Sequence, residues 1–473
     1  MSITPCVCGI RFLMLQRNLL VSCLTFACLA GTVLFAQNVA PTPPMGWNSW
    51  DSYGLTVDEA EYRANTKVLA GLKQFGWQYS VIDEGWYMQD PFKDKIEERK
   101  YVWDGNGILI PAVNRFPSVA DGAGFKPLAD WVHAQGLKFG VHILRGIPRQ
   151  VVKDNLPIAG TEFHAQDAAD TSSPCSWAED NWGMRDNEAG QAYYDSMLKL
   201  YASWGLDYIK VDCISDHPYR PTEIRQIAEA IRKTGRHIVL SLSPGPTQVE
   251  NAAEVAKYAQ MWRITDDHWD GWTFPHNPPD AEYPFGLHDE FDRVAKWAPF
   301  VKPGSWPDPD MLPEGWLGPH PGKDQARASN YTHDEQRSEF TLWAISRSPL
   351  ILGTNLTKLD DFTRSLLTNK EVLELNQHAV ESKPGLMPKQ TPGSKPFVER
   401  YWYAQTGGAH PKRYIAVFNL ADAPTSSNLP WMVFHLDNKP HALFDVWNQQ
   451  HIPSAQALKV LLPAHGCALY RVE

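Results

Sequence analysis

The spacing of apolar residues predicts an alternation of strands and helices along most of the chain. Between about residues 45 and 380, short apolar runs alternate with longer amphipathic segments. Several runs lack polar alternation, which is typical of parallel strands buried on both faces. The candidate strands are 45–48, 79–83, 138–142, 207–212, 237–241, 260–263 and 349–352, with a weaker one ahead of 306–308. Eight such units indicate an α/β fold, a (β/α)₈ TIM barrel with insertions, rather than an open doubly wound sheet.

The pattern changes after Asn376, where a proline-rich, linker-like stretch begins. Beyond it, short β-rich runs separated by turn residues predict a small C-terminal antiparallel β-sandwich. The runs are 397–402, 414–418, 431–436, 442–447, 457–462 and 466–472. We therefore expect the catalytic barrel at 37–382 and the β-sandwich domain at 383–473.

Residues 1–36 are predicted to be a secretion signal peptide, because two arginines precede an apolar run over 19–36. Translation starts at Met1 or at Met14, since the stretch before Met14 is unusual for a signal. The mature chain is expected to be secreted or periplasmic. No later run is apolar enough to span a bilayer, so we expect no membrane span after signal removal.

Composition narrows the possible partners. The formal net charge of −10 and the lack of a basic run disfavour nucleic acid, which requires a positive patch. The 19 tryptophans suit either an aromatic core or flat platforms under sugar rings, and composition alone favours the core. Neither a glycine-rich dinucleotide loop nor a zinc-ligand spacing occurs in the chain, so we expect no cofactor and no metal.

Polar residues collect where the predicted parallel strands end, which is where barrel enzymes place their active sites. A single strand-end Asp is more often a helix cap or an ion-pair partner than a functional group. Titratable residues at six of the eight strand ends favour a site. Together with Ser243 at a seventh end, these positions supply Asp51, Asp83, Glu84, His142, Arg145, Lys210, Asp212, Ser243, Arg263, Asp266, Asp267, Asp308 and Asp310. Paired carboxylates with aromatic platforms are the groups that glycoside hydrolysis uses.

Alternation along the fourth strand places Lys210 and Asp212 on one face, toward the barrel axis. Lys210 could instead form a Schiff base, as in barrel aldolases, but this requires a neutral amine. A carboxylate two residues away favours the ammonium form, so we disfavour this alternative. His142 alone is more often a hydrogen-bonded strand-end residue than a metal ligand.

In their order and spacing, these residues resemble glycoside hydrolase family 27, which contains α-galactosidases and α-N-acetylgalactosaminidases. The motifs are PPMGWNSW at 43–50, IDEGW at 82–86, RFP at 115–117, GLDYIKVDC at 205–213, WR at 262–263 with Asp267, and PDPDML at 307–312. The resemblance runs from about residue 40 to the end of the chain. It implies a (β/α)₈ barrel followed by an antiparallel β-domain, in line with the apolar pattern.

The resemblance also implies residue roles in a retaining reaction. Asp212 matches the family's nucleophile and Asp267 its general acid/base, with Asp266 as an adjacent rival. Counting back from Trp272, which matches a Trp of the family motif, selects Asp267. Retention requires the two carboxyl groups to lie about 5–5.5 Å apart. The expected substrate-binding residues are Trp50, Asp83, Glu84, His142, Lys210, Ser243, Arg263 and Asp310.

Within that set, Asp83 and Glu84 match an acidic pair that binds the hydroxyls at carbons four and six. Three departures from the family pattern leave the substrate open. Glu84 stands where the family often has Asp, and its extra methylene crowds the carbon-six arm, which leaves β-L-arabinopyranosides open. Ser243 stands where galactosidases have Glu, which leaves N-acetylgalactosaminides open. His142 replaces a Tyr, and we expect it to line the entrance.

We expect a retaining exo-glycosidase that removes terminal α-D-galactosyl residues from oligosaccharides or polysaccharides. The alternatives are a β-L-arabinopyranosidase, an α-N-acetylgalactosaminidase and, from another class, a non-catalytic carbohydrate-binding protein. The presence of both Asp212 and Asp267 argues against a non-catalytic binding protein. The resemblance further implies a Cys175–Cys213 disulfide that leaves Cys467 free. It places five tryptophans at or near the barrel rim: Trp47, Trp50, Trp86, Trp262 and Trp306.

Overall fold

Eight short parallel strands form one sheet in which each strand pairs with its neighbours along the chain. The computed structural model describes residues 39–93, 98–275, 284–319, 326–387 and 398–473, so the predicted signal peptide lies outside the described residues. The strands are β1 (Met45–Asn48), β2 (Tyr79–Ile82), β3 (Lys138–Leu144), β4 (Tyr208–Asp212), β5 (Val239–Leu242), β6 (Met261–Arg263), β7 (Trp306–Asp308) and β8 (Leu350–Leu352). The weak strand expected ahead of 306 is β7 itself.

The sheet curls into a barrel. Its strand order is β7-β6-β5-β4-β3-β2-β1-β8, and each neighbouring pair in this order is parallel. Leu312, just after β7, forms a parallel bridge to Leu352 of β8, which brings the two edges together. The predicted TIM barrel is therefore confirmed.

Helices connect the strands and cover the outer face of the barrel. The longer ones are α1 (Glu59–Leu72), α2 (Lys126–Ala134), α3 (Glu188–Trp204), α4 (Pro221–Thr234), α5 (Ala252–Tyr258), α6 (Leu287–Trp297), α7 (His333–Ser346), α8 (Asp361–Leu367) and α9 (Lys370–His378). Their ends follow local chemistry. The Asn187 side chain accepts the Gly190 N–H at the start of α3, and Gly205 ends that helix with φ of 101°.

Strand alternation divides the barrel into an apolar base and a polar top. On β4, Ile209 and Val211 pack outward into the main hydrophobic core, whereas Tyr208 joins a separate cluster inside the barrel. Lys210 and Asp212 follow Tyr208 on the same inward face. The interior therefore changes from apolar to charged within one strand. The charged end is the carboxyl end, which is where barrel enzymes have their active sites.

Four of the five tryptophans expected at the rim are core residues, so that expectation is wrong for them. Trp47, Trp86, Trp262 and Trp306 have no exposed surface. Trp306 points inward but lies at the apolar base, where its indole N–H donates to the Ala40 carbonyl at 2.9 Å. Trp50 differs, because it is half-buried and packs on the cluster inside the barrel.

An excursion between β3 and α3 contains three short strands, Ile147–Pro148, Ala169–Pro174 and Asn181–Met184, which form a small sheet. Cys175 follows the second of them and forms the predicted disulfide with Cys213, with Cα atoms 6.0 Å apart. The disulfide joins the excursion to the end of β4. Among the cysteines that the structure describes, Cys467 is free, as expected.

The C-terminal domain contains two antiparallel sheets. Its strands are β9 (Ala379–Pro384), β10 (Glu399–Thr406), β11 (Arg413–Asn419), β12 (Thr425–Pro430), β13 (His441–Asp445), β14 (Gln450–Ala455), β15 (Ala457–Leu462) and β16 (Cys467–Val472). The larger sheet has the order β9-β10-β11-β16-β13-β14, and β12 pairs with β15. One apolar cluster spans both, as in a β-sandwich. The expected 382/383 boundary falls inside β9, which pairs with β10.

One predicted strand of this domain is wrong. Residues 431–436 begin with a short 3-10 helix, Trp431–Phe434, which ends at His435 with φ of 57°. The strand that precedes it, β12, contains two serines and an asparagine. These residues are typical of turns, so the sequence did not predict this strand. The apolar side chains at 431, 433 and 434 pack into the sandwich core without the strict alternation of a strand.

The sandwich domain contacts the barrel through His465. Its imidazole stacks on Trp272, with ring centroids 3.9 Å apart and planes 9° from parallel. The same ring lies 2.7 Å from a Glu335 carboxylate oxygen, and the His465 carbonyl accepts the Ser338 hydroxyl at 2.6 Å. In the part of the chain that the structure describes, no helix is long and apolar enough to cross a membrane.

Candidate active site

A buried ion pair lies at the carboxyl ends of β2 and β4. The Lys210 ammonium donates to Asp83 Oδ2 at 3.0 Å, and both side chains are almost fully buried. Asn48, at the end of β1, donates to the same oxygen at 2.6 Å. Burial alone would raise the pKa of Asp83, but Lys210 and then His142 outweigh it and hold that pKa well below its ordinary value. Asp83 is therefore a fixed anion.

A second buried cation lies across the site. The Arg263 guanidinium contacts Asp310 at 2.8 Å and Asp267 at 3.2 Å. Burial would lower the pKa of Arg263, but Asp310 and Asp267 outweigh it and raise that pKa. Asp310 also accepts the backbone N–H of His268 at 2.9 Å, so it connects the end of β6 to the segment after β7.

His142 lies beside the predicted nucleophile rather than at the entrance, so that expectation is wrong. Its side chain is 1% exposed, and its Nε2 lies 3.4 Å from Asp212 Oδ2. Burial would raise the pKa of Asp212, but the hydrogen bond and charge of His142, with Lys210, outweigh burial and lower it. The Cys213 N–H donates to the other carboxylate oxygen at 2.6 Å. Asp212 is therefore ionised and held at both oxygens.

The two adjacent carboxylates after β6 have different surroundings. Burial raises the pKa of Asp267, and the Arg263 guanidinium acts in the opposite direction. The charges of Asp310 and Asp212 add to the rise, so the pKa of Asp267 lies above its ordinary value. Burial and the charge of Asp267 raise the pKa of Asp266 to about 6. Asp267 thus interacts with the charges at the centre of the site. The charges that act most on Asp266 are those of Asp267 and Arg263, with a smaller contribution from His217. The charge of Asp212 acts on the pKa of Asp267, which supports the choice of Asp267.

Glu84 lies at the same end of the barrel as Asp212. Burial raises the pKa of Glu84 to about 7, with His142 acting against the rise and Asp180, Asp212 and Asp83 adding to it. The side chain is thus poised between its two protonation states near neutral pH. A protonated Glu84 can donate a hydrogen bond where an ionised one can only accept.

Ser243 and two residues absent from the expected set complete the polar pocket. The Ser243 side chain is buried, and its hydroxyl has no partner among the described residues. Asn48, which binds Asp83, was missed. Asp308, which shares the inward face of β7 with Trp306, was named among the polar strand ends but not among the expected substrate-binding residues. Strand alternation carried a signal for both. The pocket is lined by Asn48, Tyr208, Lys210, Ser241, Ser243, Arg263, Asp308, Asp310, Met311 and Ile351.

A second layer of buried polar residues supports the loop that carries Asp267. His268 Nε2 lies 2.6 Å from Glu339 of α7 and 3.1 Å from the Tyr331 hydroxyl. The Trp343 indole donates to the Asp310 carbonyl at 3.0 Å. Burial lowers the pKa of His268 to about 3, so this imidazole is neutral at physiological pH. These contacts connect α7 to both carboxylates that flank Arg263.

The arrangement provides one carboxylate that stays ionised, a second whose proton affinity is raised, and two cations beside them. This is the division of roles that a retaining glycosidase requires. Among the residues that the structure describes, no group of three or more His, Cys, Asp or Glu is placed to hold a metal ion.

The fold and site together define a barrel glycoside hydrolase, and comparisons with known proteins identify the family. A family model described as "Alpha galactosidase A" matches residues 186–378. Another, described as "Alpha galactosidase C-terminal beta sandwich domain", matches residues 400–472. An α-galactosidase of Coffea arabica is 30% identical over 347 residues, covering 73% of this chain and 72% of its own. The chain belongs to glycoside hydrolase family 27.

Two further comparisons extend over nearly the whole chain. α-Galactosidase A of Cellvibrio japonicus is 29% identical over 470 residues, covering 96% of this chain and 97% of its own length. The crystal structure of a family 27 β-L-arabinopyranosidase from Geobacillus stearothermophilus superposes with a TM-score of 0.84. It is 39% identical and covers 93% of this chain and 98% of its own. The chain is therefore similar to enzymes with two different sugar specificities.

Replacing Lys210 with Met is expected to lower the free energy of unfolding by about 3–5 kcal/mol, because Asp83 loses its buried ammonium partner. Urea unfolding of the purified variant measures the loss. Lys233→Met is the matched control, because its contact with Asp195 is short, at 2.6 Å, but partly exposed. We expect it to cost less than about 1 kcal/mol. Equal costs for the two variants would contradict the importance assigned to the buried pair.

Proposed function

We propose that this protein is a retaining exo-glycosidase for β-L-arabinopyranosides and α-D-galactosides, with the arabinopyranosides preferred. The two sugars share ring stereochemistry and differ in the carbon-six arm. The observation that supports the preference is Glu84, whose longer side chain occupies the place where the family often has Asp. Similarity to a β-L-arabinopyranosidase over nearly the whole chain supports the same choice.

In the proposed first step, a carboxylate oxygen of Asp212 attacks the anomeric carbon. The bond between that carbon and the leaving oxygen breaks as Asp267 donates its proton to the leaving oxygen. The products of this step are a covalent glycosyl-enzyme and the free aglycone. The lowered pKa of Asp212 supports the nucleophile role, since the carboxylate must be ionised to attack.

In the second step, ionised Asp267 removes a proton from water, and the water oxygen attacks the anomeric carbon. The bond to Asp212 breaks, and Asp267 is left protonated for the next cycle. Two inversions at the anomeric carbon give net retention. The raised pKa of Asp267 supports this exchange of acid and base roles.

Sugar recognition is assigned to the buried ions beside these carboxylates. The Lys210–Asp83 pair offers a donor and an acceptor to the axial 4-hydroxyl, which distinguishes the galacto configuration. Because the pair is already formed, at 3.0 Å, little reorganisation is needed when substrate binds. Glu84 then limits the room beyond carbon five, which favours a sugar without the carbon-six arm.

A second candidate substrate is an α-N-acetylgalactosaminide. The observation that favours it is Ser243, a small buried residue that lines the pocket and whose hydroxyl has no protein partner among the described residues. A Ser leaves room where galactosidases have a Glu near the substituent at carbon two. The panel of substrates below includes this sugar.

We also propose that the enzyme acts outside the cytoplasm, in the periplasm or the medium. The signal-like sequence at 1–36 and the Cys175–Cys213 disulfide support an oxidising compartment.

Asp212→Ala is expected to reduce kcat for p-nitrophenyl glycosides by about 10⁴-fold or more, because the attacking oxygen is lost. The panel comprises the β-L-arabinopyranoside, the α-D-galactoside and the N-acetyl-α-D-galactosaminide. Added azide should attack the vacated face and give a glycosyl azide of inverted anomeric configuration, detected by proton NMR. Undiminished hydrolysis would exclude Asp212 as the nucleophile. If the wild-type enzyme hydrolyses none of the glycosides, a non-catalytic binder is the better assignment.

The pH profile of kcat/KM should respond to Asp310. Protonated Asp267 is the active form, so activity falls as pH rises through its pKa, which Asp310 helps to raise. Asp310→Asn removes that negative charge and frees Arg263, and both changes lower the pKa of Asp267. The alkaline limb should therefore move to lower pH. A variant with reduced activity but an unmoved alkaline limb would rule out this electrostatic role.

Glu84→Asp is expected to shift selectivity toward α-D-galactosides, because the shorter side chain leaves room for the carbon-six arm. Since one methylene in a pocket is worth roughly 10- to 200-fold in discrimination, we expect a change of at least about tenfold in the ratio of kcat/KM values. Ser243→Ala is the control, because it alters the same pocket but lies near carbon two. A ratio unchanged by Glu84→Asp would contradict the proposed basis of selectivity.

A further inference from the structure

Trp177 differs from the other tryptophans of the chain. Its side chain is 47% exposed, whereas every other tryptophan, all of them within the described residues, is buried or half-buried. It lies in the loop 175–180, which belongs to the excursion between β3 and α3. A large indole left half in water offers a flat apolar face on which another apolar face can pack.

The loop is held at both ends, and the first of these attachments lies beside the active site. Two residues before Trp177, the disulfide of Cys175 joins the loop to Cys213, which directly follows Asp212. Ala178, next to Trp177, packs on the small cluster around that disulfide. At the far end of the loop, Asp180 accepts the Tyr101 hydroxyl. The indole is therefore exposed but anchored close to the reacting carboxylates.

The indole contacts the segment that follows β4 and the predicted nucleophile. Its ring meets the His217 imidazole edge-to-face, with centroids 6.1 Å apart and an interplanar angle of 89°. The charge of His217 acts in turn on Asp266, and the Asp267 N–H donates to the Asp266 carboxylate at 2.9 Å. Since Asp267 is assigned to protonate the leaving oxygen, the aglycone departs past this edge of the barrel.

We propose that Trp177 and His217 form the subsite for the sugar on the reducing side of the scissile bond. The ligand class is a pyranose whose apolar C–H face packs on the indole, as sugar rings do on aromatic platforms. Asp216, whose carboxylate lies 3.5 Å from the His217 ring, is placed to accept a hydroxyl of the same sugar. This inference rests on the proposed function, since it assumes cleavage between Asp212 and Asp267.

The geometry suits release as well as binding. One exposed aromatic face gives an attractive but open surface, so the aglycone can leave once the glycosyl-enzyme has formed. The disulfide restricts the motion of the loop, which lowers the entropy lost when the sugar binds. The subsite should therefore favour an oligosaccharide over a leaving group without a ring.

The test compares two substrates with the same transferred sugar. One is a disaccharide with a pyranose aglycone, and the other is the corresponding glycosyl fluoride, whose leaving group cannot stack. Trp177→Ala should reduce kcat/KM for the disaccharide by about tenfold, since one stacked ring is worth roughly that factor. The fluoride should be hydrolysed within about twofold of the wild-type rate. Trp177→Tyr should restore most of the loss, because it keeps an aromatic face.

Leu461→Ala provides a control, since it removes an exposed apolar side chain from the sandwich domain. It should leave both substrates unaffected. Equal losses on disaccharide and fluoride in Trp177→Ala would overturn the proposal, because they indicate a general effect on the loop. No loss on either would overturn it too. If the wild-type enzyme hydrolyses neither substrate, the proposed function itself fails, which is distinguishable from failure of the subsite.

Discussion

Two buried cations hold the carboxylates of the barrel in place. Lys210 and Arg263 project from different strands into one pocket, and each contacts an Asp within 3.0 Å. Without them, several acids crowded at one end of a barrel would take up protons, because neither water nor counter-ions compensate a buried charge. The proposed chemistry requires one carboxylate to stay ionised while another keeps its proton. That difference depends on where the two cations lie.

Strand ends carried most of the predictable information about this site. In a parallel barrel, the carboxyl end of every strand lies at one rim, so the positions of Asp83, Lys210 and Asp212 in the sequence already placed them together. Alternation along β4 also placed the last two on one face. The family resemblance then separated Asp267 from its neighbour Asp266, which spacing alone could not do.

Membership in a motif next to the site was a poor guide to the direction of a side chain, and sequence position was a poor guide to distant contacts. Trp47 and Trp262 are in motifs next to the site but occupy the outward positions of their strands, so they pack under the helices. Glu339 lies in the middle of α7, more than seventy residues from its partner His268. No local pattern marks such a pair, since the fold alone brings the helix and the loop together.

The stacking of His465 on Trp272 joins the sandwich domain to the segment of the barrel that follows β6. Trp272 lies five residues beyond Asp267, so the sandwich domain supports the segment that carries the proposed proton donor. Exchanging the sandwich domain for that of another family member would thus replace a side chain that packs against the segment carrying the donor. Chimeras in this family should preserve the aromatic contact between the two domains, since a residue of the C-terminal domain helps to hold a loop of the barrel.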